Sequence, residues 1–205
     1  MSKPYPELTE ALSRMLDKID GVLRDAGYAG EPVKMFLAGG MAVNYWCGSR
    51  YTEDVDASFS KRILLPYDEM IVDYTRADGE QTYIYFDPNY NTSFALWHED
   101  FEDDAVEWDG IQNERRKVRL YVLNPTDLAV SKIARFTDQD REDIKSLASM
   151  GLISSKDVKK RAEEAISYYV GYAPSVRTSI NLAVKDIESL EHKPRVRSRD
   201  IDLDR

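Results

Sequence analysis

Near the start of the chain Leu8, Leu12, Met15, Leu16, Ile19, Val22, Leu23 and Ala26 recur at helical spacing, an apolar stripe that predicts an amphipathic helix ending near Gly27. The period then changes. Val33 to Ala38 reads as a buried strand, Gly39-Gly40 as a turn, and Met41 to Trp46 as a short helix entered directly from that turn. A strand carrying Asp54 and Asp56 follows, in Val55-Asp56-Ala57-Ser58-Phe59. Thr82 to Phe86 predicts a further strand, Asp87-Pro88-Asn89 a turn, and Ser93 to Trp97 another strand. In Lys117 to Leu123 the alternation of Val118, Leu120 and Val122 against Arg119 and Tyr121 predicts a half-buried strand stopping at Asn124-Pro125.

Beyond Asn124 the pattern is helical. Asn124 can cap, Pro125 suits a first helical position, and apolar residues continue through Leu128, Ile133 and Phe136. Further helices are expected from Asp138 to Met150, closed by Gly151, from Lys156 to Tyr169 and from Ser175 to Leu190. Glu191 to Arg205 has no apolar period and alternates charges, so it is expected to be disordered or ordered only by a partner. The expected class is therefore α/β: a small mixed β-sheet domain with helices over 1–123, a helical region over 124–190 and a charged tail over 191–205.

Composition narrows the function. With 205 residues, 42% hydrophobic and 11% aromatic, the chain can bury a real core. Cys47 is the single cysteine, so no internal disulfide forms, and two histidines provide no zinc cluster. No signal peptide and no membrane-length apolar run is present, which leads us to expect a cytoplasmic protein without a membrane partner. The net charge of -9 disfavours a broad duplex-binding surface and leaves only local nucleic-acid contacts.

Asp54 and Asp56 carry the strongest chemical signal. Side chains two apart on a strand leave the same face, and like charges roughly 4 Å apart cost on the order of 4 kcal/mol at an effective dielectric of about 20, a penalty that a bridging divalent cation reverses. Mg²⁺ is the natural ligand, with Mn²⁺ as the alternative, because both favour hard oxygen donors. Lys132 lies four positions from both Leu128 and Phe136, where an apolar residue would continue the stripe; it either snorkels from the edge or holds an anion. Thr137-x-x-Asp140 is capping-box-like, so Asp140 has a structural reading beside a chemical one. Arg50 and Thr52 belong either to a structural loop or to phosphate orientation. His98 beside exposed acids suggests no role. Tyr83, Tyr85, Tyr90 and Trp97 suit base stacking and core packing equally.

Four segments taken together resemble a known family: Phe36-Leu37-Ala38-Gly39-Gly40-Met41-Ala42-Val43, Arg50-x-Thr52-x-Asp54-Val55-Asp56, Leu123 to Lys132, and Asp140-Arg141-Glu142-Asp143-Ile144. They are similar to the successive motifs of minimal nucleotidyltransferases, most closely the AbiEii-like and MenT-like toxins of type IV toxin-antitoxin systems. The resemblance spans roughly residues 33 to 147. It implies a nucleotidyltransferase-type fold in which Gly39 and Gly40 approach the nucleotide phosphates, Asp54 and Asp56 bind Mg²⁺, Lys132 contacts the triphosphate, and Asp140, with Asp143 as the competing choice, completes the site. Arg50 and Thr52 join the nucleotide-binding set. The implied partners are an NTP, an acceptor RNA such as a tRNA 3′ end or a protein hydroxyl, and a cognate antitoxin. A non-catalytic regulator or binding module with this fold is the alternative. The serine common after the first glycine in the wider superfamily is Gly40 here, and the interval from Lys132 to Asp140 is short.

Overall fold

The computed structural model describes residues 4–88 and 95–192. Helix α1 (Pro6–Asp25) has proline in its first turn and buries Leu8, Leu12, Met15, Leu16, Ile19 and Leu23; Gly27, at φ 67°, lies just past its end. Strand β1 (Val33–Leu37) leads into α2 (Gly39–Cys47), and Gly39 makes that turn at φ 58°. The stretch expected as one strand around the two acids is split: β2 (Asp54–Val55) and β3 (Ala57–Phe59) belong to different sheets, and Asp56 is the corner between them.

Strands β4 (Ile71–Thr75) and β5 (Gln81–Phe86) form a hairpin that continues β2 into a three-stranded sheet ordered β2-β5-β4. A short helix α3 (Phe101–Asp104) and strand β6 (Val106–Glu107) precede β7 (Val118–Val122). The second sheet runs β3-β1-β7-β6, with β1 parallel to β7 and the outer pairs antiparallel. It is a mixed sheet. β1, enclosed between two strands, is buried at every position except Lys34. Of the strand expected over Ser93 to Trp97, residues 95–97 are irregular and the rest lies outside the described residues, as does Tyr90.

The C-terminal part is helical: α4 (Pro125–Ser131), α5 (Asp138–Ser149), α6 (Ser155–Ala165) and α7 (Ala173–Glu191). The Asn124 side chain accepts the Asp127 amide at 2.9 Å, and the Ser154 hydroxyl accepts the Asp157 amide at 3.1 Å. α4 is shorter than its apolar period predicts. It stops at Ser131 with Lys132 as its C-cap, and Phe136 takes φ 48° to turn the chain into α5. A left-handed phenylalanine costs roughly 1 kcal/mol or more, so the surrounding structure must hold this corner in place. α2 packs against α4 and α5, while α7 lies across α5 and α6. Among the described residues no helix is long and apolar enough to cross a membrane. The tail from residue 193 onward lies outside the described residues.

Candidate nucleotide and metal site

The site forms where the two sheets meet. β2 pairs in parallel with β5, Asp54 opposite Tyr85, while β3 pairs antiparallel with β1, Ala57 opposite Leu37. Val55 and Ala57 are both buried, which anchors the chain on either side of the corner. The Asp56 carbonyl accepts the Ala38 amide at 2.8 Å, tying the corner to the Gly39-Gly40 turn. The sequence-predicted residues Gly39, Gly40, Asp54 and Asp56 therefore meet at one end of β1.

Both glycines are dictated by close approach. A β-carbon on Gly39 would sit 2.7 Å from the Asp56 Cγ, and the residue is left-handed besides. On Gly40 it would sit 2.7 Å from an Arg50 Nη and 2.8 Å from the Thr52 Oγ1. Arg50 and Thr52 thus fill the space that a serine side chain at position 40 would take. Thr52 donates to Asp54. α2 has no side-chain cap on Ala38 and no acid in its first turn, so its first backbone N–H groups and the positive end of its dipole remain available to an anion.

Asp56 is electrostatically exposed to its neighbours. Burial, followed by the charges of Asp54 and Asp87, pushes its pKa from the ordinary 3.8 up to about 7, against the opposing pull of Lys132 and Arg135. No hydrogen bond reaches its carboxylate from the described residues. Two hard-oxygen donors, poorly compensated and mutually repelling, have the donor chemistry that suits a divalent cation such as Mg²⁺. Among the described residues no group of three or more carboxylate, imidazole or thiolate side chains could hold a metal by itself.

Lys132 is buried and does not snorkel. Its Nζ lies 2.8 Å from the Asp143 Oδ2 and 3.8 Å from the Asp140 Oδ1. Asp143 also receives a two-pronged contact from Arg50, at 3.1 Å on each oxygen. Asp140 takes the cap expected of it: the Thr137 side chain accepts the Asp140 amide at 3.2 Å, and the Asp140 carboxylate accepts from the Thr137 amide at 3.0 Å and hydroxyl at 2.7 Å. It also accepts a fork from Arg135. Burial alone would raise the Asp140 pKa, but Arg135 and Thr137 outweigh it and hold the carboxyl below its ordinary value.

Two neighbours of Asp56 escape sequence reasoning. Asp87 follows the β5 residue opposite Val55, so its proximity depends on a parallel pairing that the local pattern does not reveal. Arg135 follows Lys132 by three residues and looks like surface charge until Asp140 is placed beside it. Tyr83 and Tyr85 stand on the exposed face of β5, their ring centroids 6.3 Å apart, and line a groove of about 520 Å³ with Tyr67, Ile71 and Asp87. Trp97 packs edge-on against Phe101 at 4.3 Å. His98 is buried, its Nε2 3.4 Å from a Glu164 carboxylate oxygen, and takes no part in the site.

A family model described as "Nucleotidyltransferase of unknown function (DUF6036)" matches residues 14–198. Comparison with curated proteins gave no match, and neither did comparison with solved structures.

Proposed function

The chain belongs to this nucleotidyltransferase family, and we propose that it transfers a nucleoside monophosphate from an NTP to a hydroxyl acceptor with the aid of Mg²⁺. One observation carries the reading. Asp54 and Asp56 share a half-buried corner that raises the Asp56 pKa to about 7, directly beside a helix N-terminus without a side-chain cap. Such an arrangement is unfavourable without a ligand and suits a metal-bound polyphosphate. That cost argues against a module that binds no ligand at this corner.

Asp54 and Asp56 would hold the metal, which when bound supplies charge neutralisation for the attacking and leaving oxygens. The α2 N-terminus would receive phosphate oxygens, approached closely because Gly39 and Gly40 lack side chains. Lys132 would offset charge on the β- and γ-phosphates, kept in place by Asp143. The acceptor oxygen attacks the α-phosphorus as the bond to the β-phosphate oxygen breaks, the acceptor passes its proton to solvent water, and pyrophosphate leaves in line. Asp140 and Asp143 bind cations in this arrangement, which supports positioning roles for both.

We favour RNA, a tRNA 3′ end first, over a protein hydroxyl as acceptor, and a toxin or defence role for the enzyme. The protein would act in the cytoplasm, restrained by a cognate antitoxin that contacts the charged tail. Expression alone should slow growth, the Asp54→Asn form should not, and a neighbouring gene product should restore growth. Unimpaired growth at verified high levels of soluble wild-type protein would remove the toxin role and leave the chemistry standing. Incubation with each labelled NTP, Mg²⁺ and total cellular RNA or protein would identify the acceptor by the labelled band.

A further inference from the structure

Of the three cations around Asp140 and Asp143, Arg135 is the one turned to solvent. Its side chain is 72% exposed, against 30% for Arg50 and 4% for Lys132. Lys132 and Arg50 both contact Asp143, at 2.8 Å and 3.1 Å. Arg135 is held instead by Asp140, Nε to Oδ2 at 2.9 Å and Nη2 to Oδ1 at 2.8 Å. That fork consumes two of the five guanidinium N–H donors and leaves three, all on a group whose orientation is already fixed.

An exposed arginine ordinarily gives up side-chain entropy to hold one geometry. Here the anchor is rigid. Asp140 is 0% exposed and is locked by the Thr137 cap at the start of α5. The cap alone would satisfy the helix terminus, so the added fork orders the arginine rather than the helix. Three cations facing two acids leave one positive charge in excess, in a network that Lys132 joins between Asp140 and Asp143 and that Arg50 extends to the Gly40 backbone. Asp140, then Asp56 and Asp54, hold the Arg135 pKa above its ordinary value, which places its charge within the field of the proposed metal pair.

We propose that Arg135 is a triphosphate-contacting residue and that Asp140 is its positioning residue. The inference rests on the nucleotidyltransferase reading and deepens it. Lys132 supplies a buried point charge, whereas Arg135 offers a planar, multi-donor contact from the solvent side, suited to non-bridging phosphate oxygens. Neither replaces the other.

Inorganic triphosphate with Mg²⁺ is the probe, because it removes any dependence on the base. Its binding to wild type, Arg135→Gln and Arg135→Lys should be measured by calorimetry. Loss of one charged contact predicts roughly tenfold or weaker binding by the glutamine form, with partial recovery in the lysine form. Because glutamine leaves the Asp140 charge without its fork, the double variant Arg135→Gln/Asp140→Asn serves as a control. It should recover thermal stability without recovering affinity, whereas a purely structural arginine would recover both together. Wild-type affinity in a folded Arg135→Gln or in the double variant would overturn the inference alone. Absence of triphosphate binding by the wild type would overturn it together with the nucleotidyltransferase reading.

Discussion

Replacing Asp56 with Asn should stabilise the metal-free protein, and by an amount that depends on pH. In the folded chain the Asp56 pKa is raised to about 7, above the ordinary 3.8 expected once the chain unfolds. The folded state therefore holds this proton longer. Stability from this group is fully present below about pH 4 and is lost as pH rises from about 4 to 7. A difference of about three units at about 1.4 kcal/mol each gives about 4 kcal/mol, an upper figure because local rearrangement lets the charge reach water. Asparagine keeps the shape of the protonated acid and cannot ionise, so its advantage should be near zero at pH 4 and largest at pH 8. For a chain of this size about 4 kcal/mol corresponds to a rise in Tm of roughly 10 °C. Chemical denaturation of both forms between pH 4 and 8 in EDTA measures it. Saturating Mg²⁺ should then narrow the gap to about 1 kcal/mol, since a ligand at about 100 times its Kd contributes about 2.7 kcal/mol to the wild type alone. A variant equal to or weaker than wild type at pH 8 in EDTA would refute the claim that this half-buried carboxylate is held against like charge.

Other substitutions probe the remaining parts. Lys132→Met keeps the stem and removes the charge; nucleotide affinity per folded molecule should fall tenfold or more, and stability should drop by about 3 kcal/mol because Asp143 loses a buried partner. Normal affinity in that variant would exclude Lys132 from the phosphate site. Gly39→Ala should cost at least about 1 to 2 kcal/mol from the left-handed backbone and, by displacing Asp56, should abolish the Tm increase produced by Mg²⁺. A folded alanine variant with an unchanged Mg²⁺ response would contradict the close approach. Burial, then the Asp143 charge, raises the Cys47 thiol to about 11, so a disulfide reagent at pH 8 should modify it only after denaturant is added.

The glycine turn and the acid pair could be read locally because both are short-range patterns: an apolar run meeting Gly39-Gly40, and two acids at strand spacing. Helix ends were likewise visible where they depend on caps, as at Asn124, Thr137 and Gly151. Long-range decisions were not. Asp56 became a corner because β2 and β3 found partners in different sheets, β5 and β1, far apart in the chain. The apolar period carried the predicted helix past Lys132, but Lys132 is drawn onto Asp140 and Asp143, and the chain turns at Phe136 to bring those acids round. Asp87 and Arg135 show the same limit: each is an ordinary surface residue in its own segment and gains its electrostatic role only from a neighbour supplied by another element or by that turn. Asp140 kept both of its readings, since the cap formed as the capping pattern predicts while its carboxylate also orients Arg135.

The central claim is that the Asp54–Asp56 corner moves a nucleoside monophosphate, and the fate of the label from two positions of the same NTP tests it most directly. Each NTP, labelled once at the α- and once at the γ-phosphate, should be incubated with the protein, Mg²⁺ and cellular RNA or protein, alongside the Asp54→Asn form and an EDTA control. The α-label should enter the acceptor and the γ-label should leave as pyrophosphate, with neither event in the variant or in EDTA. Transfer of γ-label to the acceptor, or α-label transfer that persists in folded Asp54→Asn, would contradict the account.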